Sequence, residues 1–199
     1  TEGIPVSGIS SFSQSLAYAG NDFKIVLEYT GSGLTTSSYS ASIVNEYNEY
    51  GNIILISSSI STSVLLPIFN EDWWSVMVTQ TNNTNSIYLK NKIYTGYDGN
   101  NLGFTGSNSF PCSNIWAPSS SLFTLSTGSN QSINGKTYIP FSGSFQELRF
   151  YNTSLSESKF NNYVMNPYSI EGNLESGSQS SKNILFFRAP LGTELNTTE

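Results

Sequence analysis

The sequence predicts an all-β, antiparallel two-sheet sandwich closed by one short helix. Three observations predict it. Apolar and polar residues alternate with period two in run after run, as half-buried strands require. Turn residues interrupt the runs roughly every 8–12 residues, the rhythm of sandwiches. Only 11% of the 199 residues are charged while 14% are aromatic, against ~25% charged in an ordinary globular protein. Ser, Thr, Asn and Gly fill the gap. So many large apolar groups with so little charge favour folding over disorder. The length suits one domain over residues 1–199, with its core over about 21–190. Such a chain buries roughly 70% of its unfolded surface.

FKIVLEY (Phe23–Tyr29) sets Phe23, Ile25, Leu27 and Tyr29 against Lys24, Val26 and Glu28, a strand between turn signals. SYSASIV (38–44) and NIILISSS (52–59) follow, and a hairpin is expected between them. SVLLPIF (63–69) contains Pro67, which lacks a donor and belongs at a sheet edge or strand end. WWSVMVTQ (73–80) places Trp74, Val76 and Val78 on one face and Trp73, Ser75, Met77 and Thr79 on the other. TNNTN then turns the chain into SIYLKNKIY (86–94), an antiparallel hairpin. Residues 97–103 are expected to be a turn-rich loop, and 103–120 an irregular excursion carrying Pro111 and Pro118. SLFTLST (121–127) is a strand, 128–135 a loop, and one long strand is expected from Phe141 to Tyr151.

The helix comes next. Ser154 and Glu157 have the S-x-x-E spacing of a capping box, and Phe160, Tyr163 and Val164 form one apolar stripe. Asn166-Pro167 stops it. Such a helix suits the covering of a sheet edge or a sandwich end. Residues 172–182 are Ser/Gly-rich and linker-like, and KNILFFRAPLG (182–192) is a further strand. Strands near both ends suggest that the termini meet in one sheet.

Composition also excludes. The net charge is −6 and the eight Lys and Arg are scattered, so a nucleic-acid partner is not expected. No run approaches 18 apolar residues, so no membrane span is expected. The opening TEGIPVSGIS lacks the pattern of a signal peptide, and a first residue other than Met suggests a processed chain or part of a longer one. There is no histidine, which removes Ser-His-Asp and Cys-His nucleophiles and the usual zinc sites. The single cysteine, Cys112, cannot close a disulfide within the chain.

The segments WWSVMVTQ…SIYL and FSGSFQELRFYNTSLS together resemble the laminin-G-like, or concanavalin A-like, jelly roll. The residues that carry the likeness are Gly143, Phe145, Glu147, Leu148, Arg149, Phe150, Tyr151 and Leu155. It spans roughly Phe23 to Pro167. More loosely, FNNYVMNPYSIEGN followed by LFFRAPLGTEL resembles jelly-roll domains in virion proteins of large double-stranded DNA viruses and phages. Laminarinase-like relatives of the fold carry an E-x-D-x-x-E strand, and no such run occurs here. Glu71 and Asp72 are adjacent and would point to opposite faces of a strand, whereas retaining hydrolysis needs carboxyls about 5–5.5 Å apart.

Four sets of residues stand out. Glu147 and Arg149 are two apart and are expected to share a strand face with Phe145 and Tyr151 as a structural ion pair beside the helix. Ser154 and Glu157 are expected to cap that helix. Asp98 with Asn100 and Asn101 could offer oxygen ligands to calcium, though Asp-Gly is also a common turn. Trp116, Tyr97 and Trp73 could stack on sugar rings; a tryptophan placed like Trp73 is more often a core residue of its strand's second face, and Trp116 is the better candidate. No catalytic residue and no obligatory cofactor is expected.

The resemblance implies a non-enzymatic module of a virion or particle surface that works by protein–protein contacts. Its partners would be other virion or particle proteins, or further copies in a homo-oligomer. A surface rich in Ser, Thr and Asn suits close packing among copies. The alternative is a carbohydrate-binding, lectin-like adhesion domain, and the third possibility is a glycan hydrolase or lyase.

Overall fold

The computed structural model describes residues 12–19, 23–29, 49–57, 60–69, 72–95, 99–112, 123–125, 130–169 and 184–191. Within them the chain is mostly strands in sheets, with one helix. The strands are β1 (Phe12–Ala19), β2 (Phe23–Tyr29), β3 (Glu49–Ser57), β4 (Ile60–Phe69), β5 (Trp74–Thr81), β6 (Thr84–Thr95), β7 (Gly99–Pro111), β8 (Phe123–Leu125), β9 (Gln131–Ile133), β10 (Lys136–Pro140), β11 (Leu148–Tyr151) and β12 (Leu185–Ala189). The helix, α1 (Glu157–Met165), lies between β11 and β12.

The strands form three sheets. A seven-stranded sheet runs β4-β3-β2-β1-β10-β9, with β8 also on β1. It is not purely antiparallel: β1 and β10 pair parallel through Gln14–Ile139 and Ser15–Pro140. A three-stranded antiparallel sheet runs β5-β6-β7, and β11 and β12 form a ribbon.

Two sheets enclose the main core. Ile25, Leu27, Ile53, Leu55, Val64 and Leu66 of the large sheet meet Ile87, Leu89 and Phe110 of the three-stranded one. The sheets approach closely at Gly106, where an added Cβ would stand 2.5 Å from Cγ1 of Val64. The other face of the three-stranded sheet carries Met77, Tyr88 and Leu102, and Leu155 with Phe160, Tyr163 and Val164 of α1 covers it. The helix is thus a third layer. Period two explains this division: Ile87 and Leu89 face the core, and Tyr88 faces the helix. In β2 both faces are buried, because Val26 joins Ile56, Ile133 and Tyr138 in a separate cluster.

Several elements differ from expectation. Segment 38–44 lies outside the described residues. Both edges of β3 are taken, by β2 and β4. Among the described residues Pro67 does lie in an edge strand, beside the register shift where Glu49 faces Phe69 and Gly51 faces Leu66. The expected irregular excursion at 103–120 is, as far as Pro111, the greater part of a 13-residue strand. Its glycines and polar residues are tolerated because one side must admit Val64 and Leu66. The expected loop at 128–135 contains β9 and the turn Asn134-Gly135, both at positive φ (51° and 78°). Asn-Gly between strands is a strong hairpin signal. The long strand expected over 141–151 is only Leu148–Tyr151. Glu147, at φ 56°, sits in left-handed backbone immediately before it. Finally, the first and last described strands, β1 and β12, lie in different sheets.

Asn82 and Asn83 make the β5–β6 turn, both at positive φ (50° and 59°). That is the mirror-image turn that suits twisted hairpins, and Asn tolerates it. Where β6 and β7 slip register between Lys90 and Lys92, the buried Asn91 repairs the ladder. Its Oδ1 accepts from the Phe104 N–H at 2.6 Å and its Nδ2 donates to Asp72 at 3.2 Å.

Candidate functional site

The densest polar chemistry sits where β11, β12 and α1 meet. Arg149 and Arg188 are direct cross-strand partners. Like charges in that position repel. Glu147 resolves the conflict. Its Oε2 accepts from Nε of both arginines at 3.0 Å, and its Oε1 accepts from Arg188 Nη2 at 2.7 Å. Arg149 Nη2 stands 2.9 Å from Oε2, with both side chains only 8% exposed. The left-handed backbone of Glu147, which costs an L-residue roughly 1–2 kcal/mol, is thus fixed by a carboxylate that holds two strands.

Arg149 also reaches the helix. It donates to the carbonyl of Pro167, just past the end of α1, and its guanidinium lies 4.8 Å from the Tyr163 ring centroid. Tyr163 in turn stacks on Tyr151 at 6.0 Å. Burial pushes the Glu147 carboxyl up, but hydrogen bonds and charge from Arg188 and Arg149 outweigh burial and hold it below the usual carboxylate range. A carboxylate held in this way stays ionised and accepts hydrogen bonds; it does not deliver protons.

The helix cap lies two residues later than the S-x-x-E spacing predicts. Ser156 is the N-cap, and its hydroxyl accepts from the Lys159 N–H at 3.2 Å. Ser154 is outside the helix. Glu157 is its first residue and bonds Lys90 of β6 at 2.6 Å. Lys90 faces α1 with its side chain 5% exposed, and a buried ammonium needs a counter-charge. Glu157 therefore docks the helix on the three-stranded sheet, and the acidic group also suits the helix N-terminus.

The ribbon's outer surface is apolar. β11 and β12 slip register so that Phe187 faces Phe150 and Leu185 faces Tyr151, which leaves Phe186 as an extra residue. Such a bulge breaks alternation. Phe186 is accordingly 78% exposed and Phe187 48%, with Leu191 also exposed after the strand. Phe187 leans on Phe150, ring centroids 6.0 Å apart. Tyr168 is 60% exposed and its hydroxyl accepts from Gln146 at 3.4 Å.

Of the candidate sugar-stacking residues, Trp73 precedes β5 and is 56% exposed, whereas Trp74 packs inward and stacks on Phe104. Tyr97 and Trp116 lie outside the described residues. Asp98 also lies outside them; Asn100 is the second residue of β7, opposite Tyr94. Among the described residues no three of His, Cys, Asp and Glu cluster as metal ligands, and no helix is long and apolar enough to cross a membrane.

Sequence reasoning missed Arg188 and the Phe186–Phe187 pair. The signal for the latter was present: two consecutive Phe in one strand cannot both face the same way without a bulge. Compared with known protein families, with curated proteins and with solved structures, the chain matches none.

Proposed function

We propose that the chain is a non-enzymatic assembly module of a virion or particle surface, a jelly roll of the concanavalin A-like kind that works through protein–protein contacts. The observation that carries this reading is the exposed Phe186–Phe187 pair on the β11–β12 ribbon. Large contiguous apolar groups on a strand surface mark sites where another chain docks. A chain poor in charge, with 11% of its residues charged, supports close packing. Two facts support a non-enzymatic role. The chain has no histidine, and the buried carboxylate of Glu147 is committed to two arginines.

The exposed Trp73 favours a second reading, a lectin-like adhesion domain, since an exposed indole stacks well on a sugar face. Light scattering of the purified chain, with and without a glycan mixture, separates the two. Assembly predicts a defined oligomer or lattice without sugar. A monomer retained only on a glycan column overturns assembly in favour of the lectin.

A further inference from the structure

We infer that Cys112 and Gln80 form an internal thioester and that this bond captures a primary amine. The inference goes beyond the assembly reading and does not depend on it. The site lies at the end of the β5–β6 hairpin. Gln80 and Asn85 are direct cross-strand partners there. Cys112 is fastened beside them through its N–H, which donates to the Asn83 carbonyl at 2.7 Å. The three side chains close a triangle. Gln80 Nε2 donates to Cys112 Sγ and to Asn85 Oδ1, both at 3.0 Å, and Sγ donates to Asn85 Oδ1 at 3.3 Å.

Two features set this triangle apart from an ordinary polar contact. Asn85 is wholly buried, yet among the described residues its Nδ2 has no hydrogen-bond partner. A buried donor left unpaired is costly, and this one belongs to the carboxamide that touches the sulfur. The sulfur is also within reach of an acyl carbon. Cδ of Gln80 is one amide bond, ~1.3 Å, from Nε2, and the terminal torsion of Gln is broad. Turning the carboxamide about that torsion brings the face of Cδ toward Sγ. Gln80 and Cys112 are both half-buried, sheltered from bulk water but open to a small nucleophile.

The chemistry balances without a co-reactant. Sγ bonds Cδ, the Cδ–Nε2 bond breaks, and the thiol proton passes to Nε2, which leaves as ammonia. No histidine is needed, because the proton goes directly to the leaving nitrogen. The orphan Nδ2 of Asn85 supplies a donor for the oxyanion that develops on Oε1. An amide is a poor acyl donor, and enforced contact compensates, since groups held in reacting geometry reach effective molarities of about 10⁵–10⁸ M. A primary amine then attacks Cδ and the C–S bond breaks. The amine's proton goes to sulfur, which leaves Cys112 as the thiol and Gln80 joined to the amine through an amide. The chain acts once, on itself.

Mass spectrometry of the intact, denatured chain tests this. The expected mass is one ammonia below that of the sequence, with no titratable thiol. Cys112→Ser and Gln80→Ala should each restore the full mass expected of the variant. Methylamine added to the folded wild type should raise the mass by one methylamine and release one thiol. Full sequence mass with one free thiol, before and after methylamine, overturns the inference. Loss of ammonia that persists in Cys112→Ser also overturns it, by placing the loss elsewhere, as at Asn134-Gly135. A thioester that takes up no methylamine overturns the capture step. The wild-type mass decides the bond by itself, so a variant that fails to fold does not blunt the test.

Discussion

The core between the two larger sheets and the end formed by β11, β12 and α1 are held by different forces. The first is dry and aliphatic. Leu55, Leu66, Ile87 and Leu89 are almost wholly buried and carry no polar atoms on their side chains. The second is built on charge and aromatic rings. One carboxylate joins two arginines, one arginine lies over a tyrosine, and a lysine–glutamate pair docks the helix. Apolar burial is non-directional and indifferent to pH, so it suits a scaffold. Charged contacts are directional and titrate, so they fix the orientation of a small ribbon that lacks the area to hold itself. The comparison teaches that charged contacts hold the small ribbon and its helix where there is little apolar surface to bury.

That contrast can be broken by substitution. The largest effect is expected for Leu55→Ala, about 4 kcal/mol from lost transfer energy and the cavity left behind. Urea titrations should show the same cost at pH 7 and pH 4. Glu147→Gln should cost about 3 kcal/mol at pH 7, because it leaves two buried guanidiniums without a counter-charge. Its sign with pH is fixed by the direction of the shift. The folded carboxyl lies below its usual range, so its contribution is present above the unfolded value of about 4.3. That contribution fades as pH falls through the folded value. The gap between wild type and Glu147→Gln should therefore close on acidification, while the Leu55→Ala gap does not. A Glu147→Gln gap independent of pH would remove the distinction between the two regions. Ser156→Ala should cost about 1 kcal/mol through loss of the cap. Seen as faster amide exchange in the first turn of α1, it would sharpen the view that the helix is held from its N-terminal side as well as through Lys90.

The sequence displayed what depends on local pattern. Period two marked β2, β3, β5 and β6, the Asn82-Asn83 turn announced its hairpin, and Asn166-Pro167 ended the helix. What escaped depended on contacts distant along the chain. The strand β7 was hidden because Gly106 and its polar neighbours have low strand preference, and only the approach of Val64 and Leu66 explains the glycine. Glu147 and Arg149 looked like a pair because their spacing is local; Arg188, 41 residues further on, makes it a bridge between strands. The cap is Ser156 rather than Ser154, and Glu157 bonds Lys90, a residue 67 positions away.

Two bulges show how little chemistry decides what a strand displays. In β1 the register slips between Ser15 and Ala17, and Leu16 and Ala17 both pack against the main core. In β12 the slip falls at Phe186, and two neighbouring rings both face solvent. The device is the same and only the side differs. Display at such a place is a matter of parity: one residue added or removed reverses inside and outside for the stretch that follows. Evolution can therefore change the character of the ribbon's outer face by substitution, but it can hide or reveal that face only by changing a count.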